Sequence, residues 1–521
     1  MSQVVSRKVN SVKSIVTSFV LNIVKILMQF FFRSVFIKFL SVEFLGVNSA
    51  ITGLLNLLSV TELGISSAIT FNLYKPIAEN NIPKINAIMK LYRKFYTIIG
   101  FVVLGIGLLL MPFLKWLIAD AGNINVDIYF VYVLALLGSV VSYFYSYKNV
   151  LFIAYQQQYK VNAINTITLF ITMGIQISVI VLTRSFYSFL IAQCLVSIIN
   201  MIATYLYATK VYPEINFNKE DKLDKETKDN IYKNVKGMVY HKLSYSVLQG
   251  SDSIIISSFI GATLLGVYSN YSLFITSIVS LFMLTVASLT GSIGNMIAEG
   301  DSKKSYSVYK LLKMGFFWVA GFCAISLFIL LNPTIELWAK LGRWSTENIW
   351  TIDTFTIFVL VLNFYILTSR SITGSFREGI GDFYRDRYKS LFEALINVIV
   401  SLILVKHLGI AGVLIGTIVS CLCTSFWVDP YMVYKYYFKK PLWNHFKDFL
   451  FYTIIVLFAG VITYFICGFI SDGTIGLLIA KLSICLVVPN IIMFFCFMPT
   501  KEFRELYSII KELKKRKSYK I

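Results

Sequence analysis

The sequence predicts an all-α integral membrane protein: about fourteen transmembrane helices, built as two parallel-repeat six-helix lobes plus a two-helix C-terminal extension. Three observations predict this. Of 521 residues, 57% are hydrophobic and 14% charged, with a mean hydropathy of +0.71; a soluble domain carries roughly 25% charged residues. Apolar runs of about 20 residues, long enough to cross a bilayer, recur from end to end. The sequence also partly matches itself when shifted by 220 positions.

Spans are expected to begin near Ser14, Phe44, Leu91, Asp127, Val161, Phe186, Gly237, Leu265, Leu311, Ile352, Tyr388, Ile410, Phe449 and Thr474. The basic start, Arg7, Lys8 and Lys13, precedes an apolar stretch too long for a cleavable leader and lacking a small-residue cleavage site, so it reads as an uncleaved first span. Lys and Arg concentrate in alternate loops, for example Lys84, Lys90, Arg93 and Lys94, or Lys303, Lys304 and Lys310. The opposite loops hold few, among them Lys38, Lys115, Arg184 and Lys406. The basic side is the expected cytoplasmic side, which carries both termini. The net charge of +21 follows from these loops, so nucleic acid is not an expected partner; membrane lipid is.

The organisation follows. Residues 1–209 form the first lobe, 210–236 a mixed-charge cytoplasmic linker, and 237–438 the second lobe. Residues 439–498 hold two extra spans, and 499–521 a basic amphipathic tail suited to the membrane interface. The repeat places Leu45-Gly46-Val47-Asn48-Ser49 over Leu265-Gly266-Val267-Tyr268-Ser269, and Ile77-Ala78-Glu79 over Ile297-Ala298-Glu299. Lys84 meets Lys304, Gln29 meets Gln249, and, after a longer loop, Tyr159-Lys160 meets Tyr388-Lys389. Both copies start with an outward-running span, so the repeat is parallel, and transporters of this plan bind substrate between lobes.

Few polar residues lie inside spans. Lys25, Gln29 and Arg33 recur every four residues and share one helix face. A cation at the bilayer centre costs about 3 kcal/mol or more, so such a residue faces a bundle interior or water. With Arg370 and Gln249 they are the candidates for binding an anionic substrate. Glu62 and Asp252 are candidates for ion pairing or for carrying a coupling proton or sodium ion. Lys38, Lys148, Arg370 and Glu393 lie near span ends, where snorkelling is the plainer reading. Tyr143, Tyr145, Tyr147 and Tyr155 suit sugar stacking, although tyrosine is also favoured at membrane interfaces. In the repeat register Tyr245 stands opposite Lys25 and Ser253 opposite Arg33, beside Asp252. The first-span cations therefore belong to one copy only.

Enzyme signatures are missing from the sequence. There is no GxxxxGK[ST] phosphate loop, and His241, His407 and His445 form no HExxH or ligand cluster. The seven cysteines sit in apolar segments, and Cys421 and Cys423 lack a second pair for a zinc site. No metal or other cofactor is expected.

The run from Glu43 to Ile85 resembles the second span and following loop of polysaccharide repeat-unit flippases. These are the O-antigen and capsule translocases of the multidrug/oligosaccharidyl-lipid/polysaccharide exporter superfamily. The resemblance rests on Thr61-Glu62-Leu63-Gly64 and on Asn72-Leu73-Tyr74-Lys75-Pro76-Ile77-Ala78-Glu79. It implies a multi-pass protein of the bacterial plasma membrane that flips undecaprenyl-pyrophosphate-linked oligosaccharide to the outer leaflet. It also implies an ion gradient (H+ or Na+) as the drive, with a polysaccharide polymerase and glycosyltransferases as partners. The alternative is an ion-coupled multidrug or small-solute antiporter on the same fold. A membrane glycosyltransferase or polymerase would need a large outer loop or catalytic carboxylates, which the sequence lacks.

Overall fold

The computed structural model describes residues 2–58, 65–119, 126–155, 157–215, 223–344, 350–381, 385–386 and 388–518. Among these the chain is helical throughout and multi-spanning: eleven helices are long and apolar enough to cross a membrane. The α-helices of the first half are, in order, α1 (Ser2–Leu40), α2 (Val42–Leu58), α3 (Ile65–Ala78), α4 (Ile82–Leu110), α5 (Leu114–Leu117), α6 (Ile128–Ser146), α7 (Asn149–Ala154), α8 (Gln158–Thr183), α9 (Phe186–Val211) and α10 (Lys225–Phe259). The second half holds α11 (Ala262–Ala298), α12 (Ser302–Gly342), α13 (Thr354–Ser369), α14 (Ser371–Ile380), α15 (Lys389–Cys423), α16 (Ser425–Tyr431), α17 (Trp443–Gly468), α18 (Ile475–Phe497) and α19 (Lys501–Ser518).

Three differences reconcile eleven with the fourteen spans expected. The continuous stretch from Lys389 to Phe438 is two spans. Gly409, at φ 57° and ψ −134°, breaks the helix. Ser401 Oγ donates to the Val413 carbonyl at 3.1 Å, although twelve residues of straight helix would span about 18 Å. The chain reverses there, and a β-carbon at Gly412 would stand 2.4 Å from the Leu404 carbonyl oxygen. The second difference is α2, apolar but only 17 residues long. The third is α10, whose first half is charged and whose second half is rich in Ser and holds Gln249 and Asp252.

The repeat is written into the backbone at the expected register. The link between α1 and α2 is one residue, Ser41, at φ 95°, and that between α10 and α11 turns at Gly261, φ 117°. Asn80 at φ 49° corresponds to Gly300 at φ 79°. Asn81 then caps α4 by accepting from the Lys84 amide, and Asp301 caps α12 by accepting from the Lys303 and Lys304 amides. Asp127 and Asp353 cap α6 and α13 in the same way. The caps satisfy helix-terminal N–H groups that hydrocarbon could not.

Several helices begin well before the apolar run that announced them, α4 at Ile82 and α12 at Ser302 among them, because hydropathy marks only the part that lipid must solvate. Within the linker, helix α10 begins at Lys225, and its capping Asp224 lies 3.1 Å from Lys84. Hydrogen bonds from Thr227 and Lys84 hold the Asp224 carboxyl well below the usual carboxylate range.

The chain falls into two compact units: residues 1–22, 270–389 and 414–521 in one, and 23–269 and 390–413 in the other. In the first, α12 packs against α13, α17 and α18, with Phe317 set among Tyr365, Phe449 and Tyr452. In the second, α6 packs on α4 and α9, and α10 lies along α2. Tyr143 and Tyr147 are core residues of this second unit. Tyr147 and Tyr145 meet Tyr205, and Tyr155 stacks on Tyr212. Lys148 is buried rather than snorkelling. Its Nζ donates to Thr209 Oγ1 at 2.6 Å and lies 3.9 Å from the Tyr205 ring centroid, so the ring face and a hydroxyl take the place of water.

Candidate functional site

The site is built on the long first helix. From Phe19 to Leu40 it is apolar and, taken as a whole, little buried. Lys25 is exposed, and Gln29 and Arg33 are half-buried. Arg33 Nη1 donates to Ser269 Oγ of α11 at 2.8 Å, and the Ser269 hydroxyl in turn donates to the Gly266 carbonyl at 2.7 Å. The partner is a hydroxyl, so this contact orients the guanidinium without neutralising it.

The surrounding geometry follows from two glycines. A β-carbon at Gly46 would stand 1.7 Å from the Ala262 carbonyl oxygen, and one at Gly266 would stand 2.2 Å from the Val42 carbonyl oxygen. Val42 and Ala262, like Gly46 and Gly266, are equivalent in the repeat. The contact is therefore reciprocal: each copy's helix start meets the other copy's glycine, as across a two-fold axis. Small residues permit this close backbone approach. Further along α2, Gly53 packs on Ser253 and Gly250 of α10.

The short links beside this contact are stitched together. The Ala119 amide donates to the Ser257 carbonyl at 3.1 Å, and the Ala262 amide to the Ala119 carbonyl at 3.3 Å. Ser257 and Ser258 hydroxyls both donate to the Leu117 carbonyl. Backbone groups at span ends are thereby satisfied within the protein.

The other expected residues are distributed as follows. Asp252, on α10, lies within electrostatic reach of Tyr268, which is the repeat equivalent of Asn48. Its neighbour Ser251 hydrogen-bonds Asn397 of α15 at 3.2 Å. Gln249 is on α10, and its side chain falls outside the described residues. Glu62 and the whole Thr61–Gly64 element also fall outside them. Arg370 caps the C-terminus of α13 and is half-buried in the unit that begins again at Asn270. Within the Asn72–Glu79 element, Asn72 to Ala78 form the last turns of α3 and Glu79 follows it, with Lys75 3.9 Å from Glu79 in an exposed pair. The stripe Lys25, Gln29, Arg33 and the pair Asp252–Tyr268 belong to one unit.

Sequence reasoning missed Ser269 as the partner of Arg33, although Ser269 closes the repeated Leu-Gly-Val element. It also missed a buried polar centre. Lys313, 1% exposed, donates to the His445 carbonyl at 3.0 Å and lies 3.6 Å from Asp448 Oδ2. Tyr309 joins Thr373 and His445 by hydroxyl contacts of 3.0 and 3.1 Å. Only tertiary packing assembles these, from α12, α14 and α17.

No family model matches the chain, and no curated protein matches it. Solved structures do. A structure described as lipid II flippase MurJ in an inward closed conformation matches at 14% identity and TM-score 0.65, covering 92% of this chain and 98% of its own. An inward-facing multidrug resistance MATE family transporter of the MOP superfamily matches at 14% identity and TM-score 0.59, covering 76% and 91%. A mutant of the Vibrio cholerae MATE transporter VcmN matches at 14% identity and TM-score 0.54, covering 84% and 100%. The likeness lies in the fold: the chain has the all-helical, multi-span fold of MOP superfamily transporters.

Proposed function

We propose that this protein is a flippase for an anionic, lipid-linked oligosaccharide, working by alternating access in the bacterial plasma membrane. The observation that carries the reading is the Lys25–Gln29–Arg33 stripe, whose one described Arg33 partner is a hydroxyl. A cation kept charged inside an apolar span is costly unless it faces water or an anion. The pyrophosphate of undecaprenyl-pyrophosphate-linked oligosaccharide supplies that anion, with Gln249 as a further candidate for contact. This substrate also follows from the resemblance of residues 43–85 to repeat-unit flippases.

In this reading the Gly46–Gly266 contact is the closed gate on the outer side, opposite the basic loops, and Arg33–Ser269 is its latch. Substrate entering from the cytoplasmic side draws Arg33 away from Ser269 and favours opening outward. A differential affinity of this kind is what a ligand needs to shift a two-state equilibrium. Asp252 or Glu62 carries the coupling H+ or Na+. Both termini are cytoplasmic, and the protein that polymerises the exported units is the expected partner for O-antigen, capsule or exopolysaccharide assembly.

The second reading, an ion-coupled multidrug or small-solute antiporter, draws on the MATE structures at TM-scores of 0.59 and 0.54 and on an acid, Asp252, inside a span. Complementation separates the two. In a strain deleted for the gene, Arg33→Ala and Lys25→Ala are expected to lose surface polysaccharide. If both restore it as fully as the unaltered chain, the cationic-stripe reading fails. If the deletion instead leaves polysaccharide intact and sensitises cells to cationic drugs, the second reading holds.

A further inference from the structure

We propose that the C-terminal helix α19 senses anionic phospholipid, with its first half clamped to the start of α12 and its second half bound to the charged leaflet. The clamp is made of particular contacts. Glu502 accepts from Lys310 Nζ at 2.7 Å, and the same ammonium lies 3.7 Å from Asp448 of α17. The Ser307 hydroxyl reaches both carboxylate oxygens of Glu505 at 3.3 Å. The Phe503 ring stacks on Trp318 at 6.2 Å and meets Phe494 edge-on at 5.3 Å. Thr500 caps the helix by accepting from the Phe503 amide at 3.3 Å. Burial alone would raise the Glu502 carboxyl, but the Lys310 hydrogen bond and the charges of Lys310 and Lys501 hold it below the usual carboxylate range.

The second half has the opposite character. Between Glu505 and Ser518 the sequence carries Lys511, Lys514, Lys515, Arg516 and Lys517 against a single acid, Glu512. The helix continues to Ser518. Leu506, Ile509, Ile510 and Leu513 recur at helical spacing, which suits a helix lying in an interface. Each cation near an anionic leaflet gains appreciably, and the attraction fades within a Debye length. The acids of the first half are engaged in the clamp, and by sequence the charge beyond them is nearly all positive. Charge complementarity selects an anionic lipid surface as the occupant. Because the clamped half bears on α12, α17 and α18, lipid binding at the distal half restrains the first turns of α12. This inference does not depend on what is transported.

Hydrogen exchange on the full chain tests it, in nanodiscs of phosphatidylcholine alone and of phosphatidylcholine with phosphatidylglycerol. Amides of residues 506–518 are expected to exchange roughly tenfold or more slowly in the anionic discs, with the difference removed by high salt. Amides of residues 305–314 are expected to slow with them. In a variant with Lys514, Lys515, Arg516 and Lys517 each changed to Gln, both differences are expected to vanish. In Glu502→Gln the response of residues 506–518 is expected to remain and that of 305–314 to fall away. Equal exchange of the tail in the two disc types overturns the proposal. So does an undiminished lipid response in the four-Gln variant. A tail response that never reaches 305–314 in the unaltered chain overturns the clamp.

Discussion

Gly46→Ala is the sharpest perturbation of the proposed gate. The added β-carbon would stand 1.7 Å from the Ala262 carbonyl oxygen, whereas such contacts under 3.0 Å essentially never occur. The two backbones must therefore separate by at least about 1.3 Å, the difference of those figures, and neither atom belongs to a side chain that can rotate away. Overpacking of this kind costs typically about 1–3 kcal/mol. At about 1.4 kcal/mol per factor of ten, the closed contact loses roughly 5- to 150-fold in population relative to the open one. The readout is the labelling rate of Ser253→Cys by a membrane-impermeant maleimide, in a background with the seven native cysteines replaced. Ser253, on α10, lies against Gly53 of α2, the helix that also carries Gly46, so it reports displacement of α2. Gly46→Ala is expected to raise the rate by that factor, and Gly266→Ala to do the same. Gly174→Ala, with nothing within 4 Å of its new β-carbon, is expected to leave it unchanged. Unaltered labelling in well-folded Gly46→Ala protein would refute the reasoning.

Three further outcomes follow from the same structure. Ser269→Ala removes the acceptor of a charged hydrogen bond of a kind worth about 1.5–3 kcal/mol, so Ser253→Cys labelling should rise by about tenfold or more; no rise means that Arg33 is not a latch. Lys313→Ala leaves the His445 carbonyl without its donor and Asp448 with Lys310 alone, and should cost about 1–3 kcal/mol, read as a lowered thermal midpoint in detergent; Lys313→Met, which keeps the volume, should cost less. Tail docking should depend on pH through Glu502. Its carboxyl is depressed in the folded protein, so the stabilisation is complete above the ordinary value of 4.5 and disappears as pH falls through the lower folded value. A label distance between Ser508→Cys and the start of α12 should hold steady above 4.5 and lengthen only below it.

Much of the architecture is legible in the sequence because a bilayer imposes simple rules. Span length and loop charge locate the helices, and the 220-residue register anticipates the matching turns at Ser41 and Gly261 and at Asn80 and Gly300. Register gives equivalence and not proximity, however. Nothing in the sequence says that Gly46 and Gly266 touch, because that depends on how the two copies close on each other. A position near a span end suggests that Lys148 reaches water; instead it lies on Tyr205 beside Thr209, since neighbouring helices offer a ring face and a hydroxyl. The tail shows its amphipathic pattern in the sequence, but its grip on α12 comes from Glu502 and Glu505, which read as ordinary surface acids. The Lys25–Gln29–Arg33 stripe is visible as a spacing, and the hydroxyl that holds Arg33 is not.

The central claim is that an anionic lipid-linked oligosaccharide crosses the membrane through this protein. Purified protein in proteoliposomes, loaded with a fluorescent undecaprenyl-pyrophosphate oligosaccharide, tests it by quenching from one side under an imposed H+ or Na+ gradient. The account predicts gradient-dependent translocation by the unaltered chain and its loss in Arg33→Ala. Absence of lipid translocation, together with gradient-driven movement of a cationic dye that survives Arg33→Ala, would contradict it.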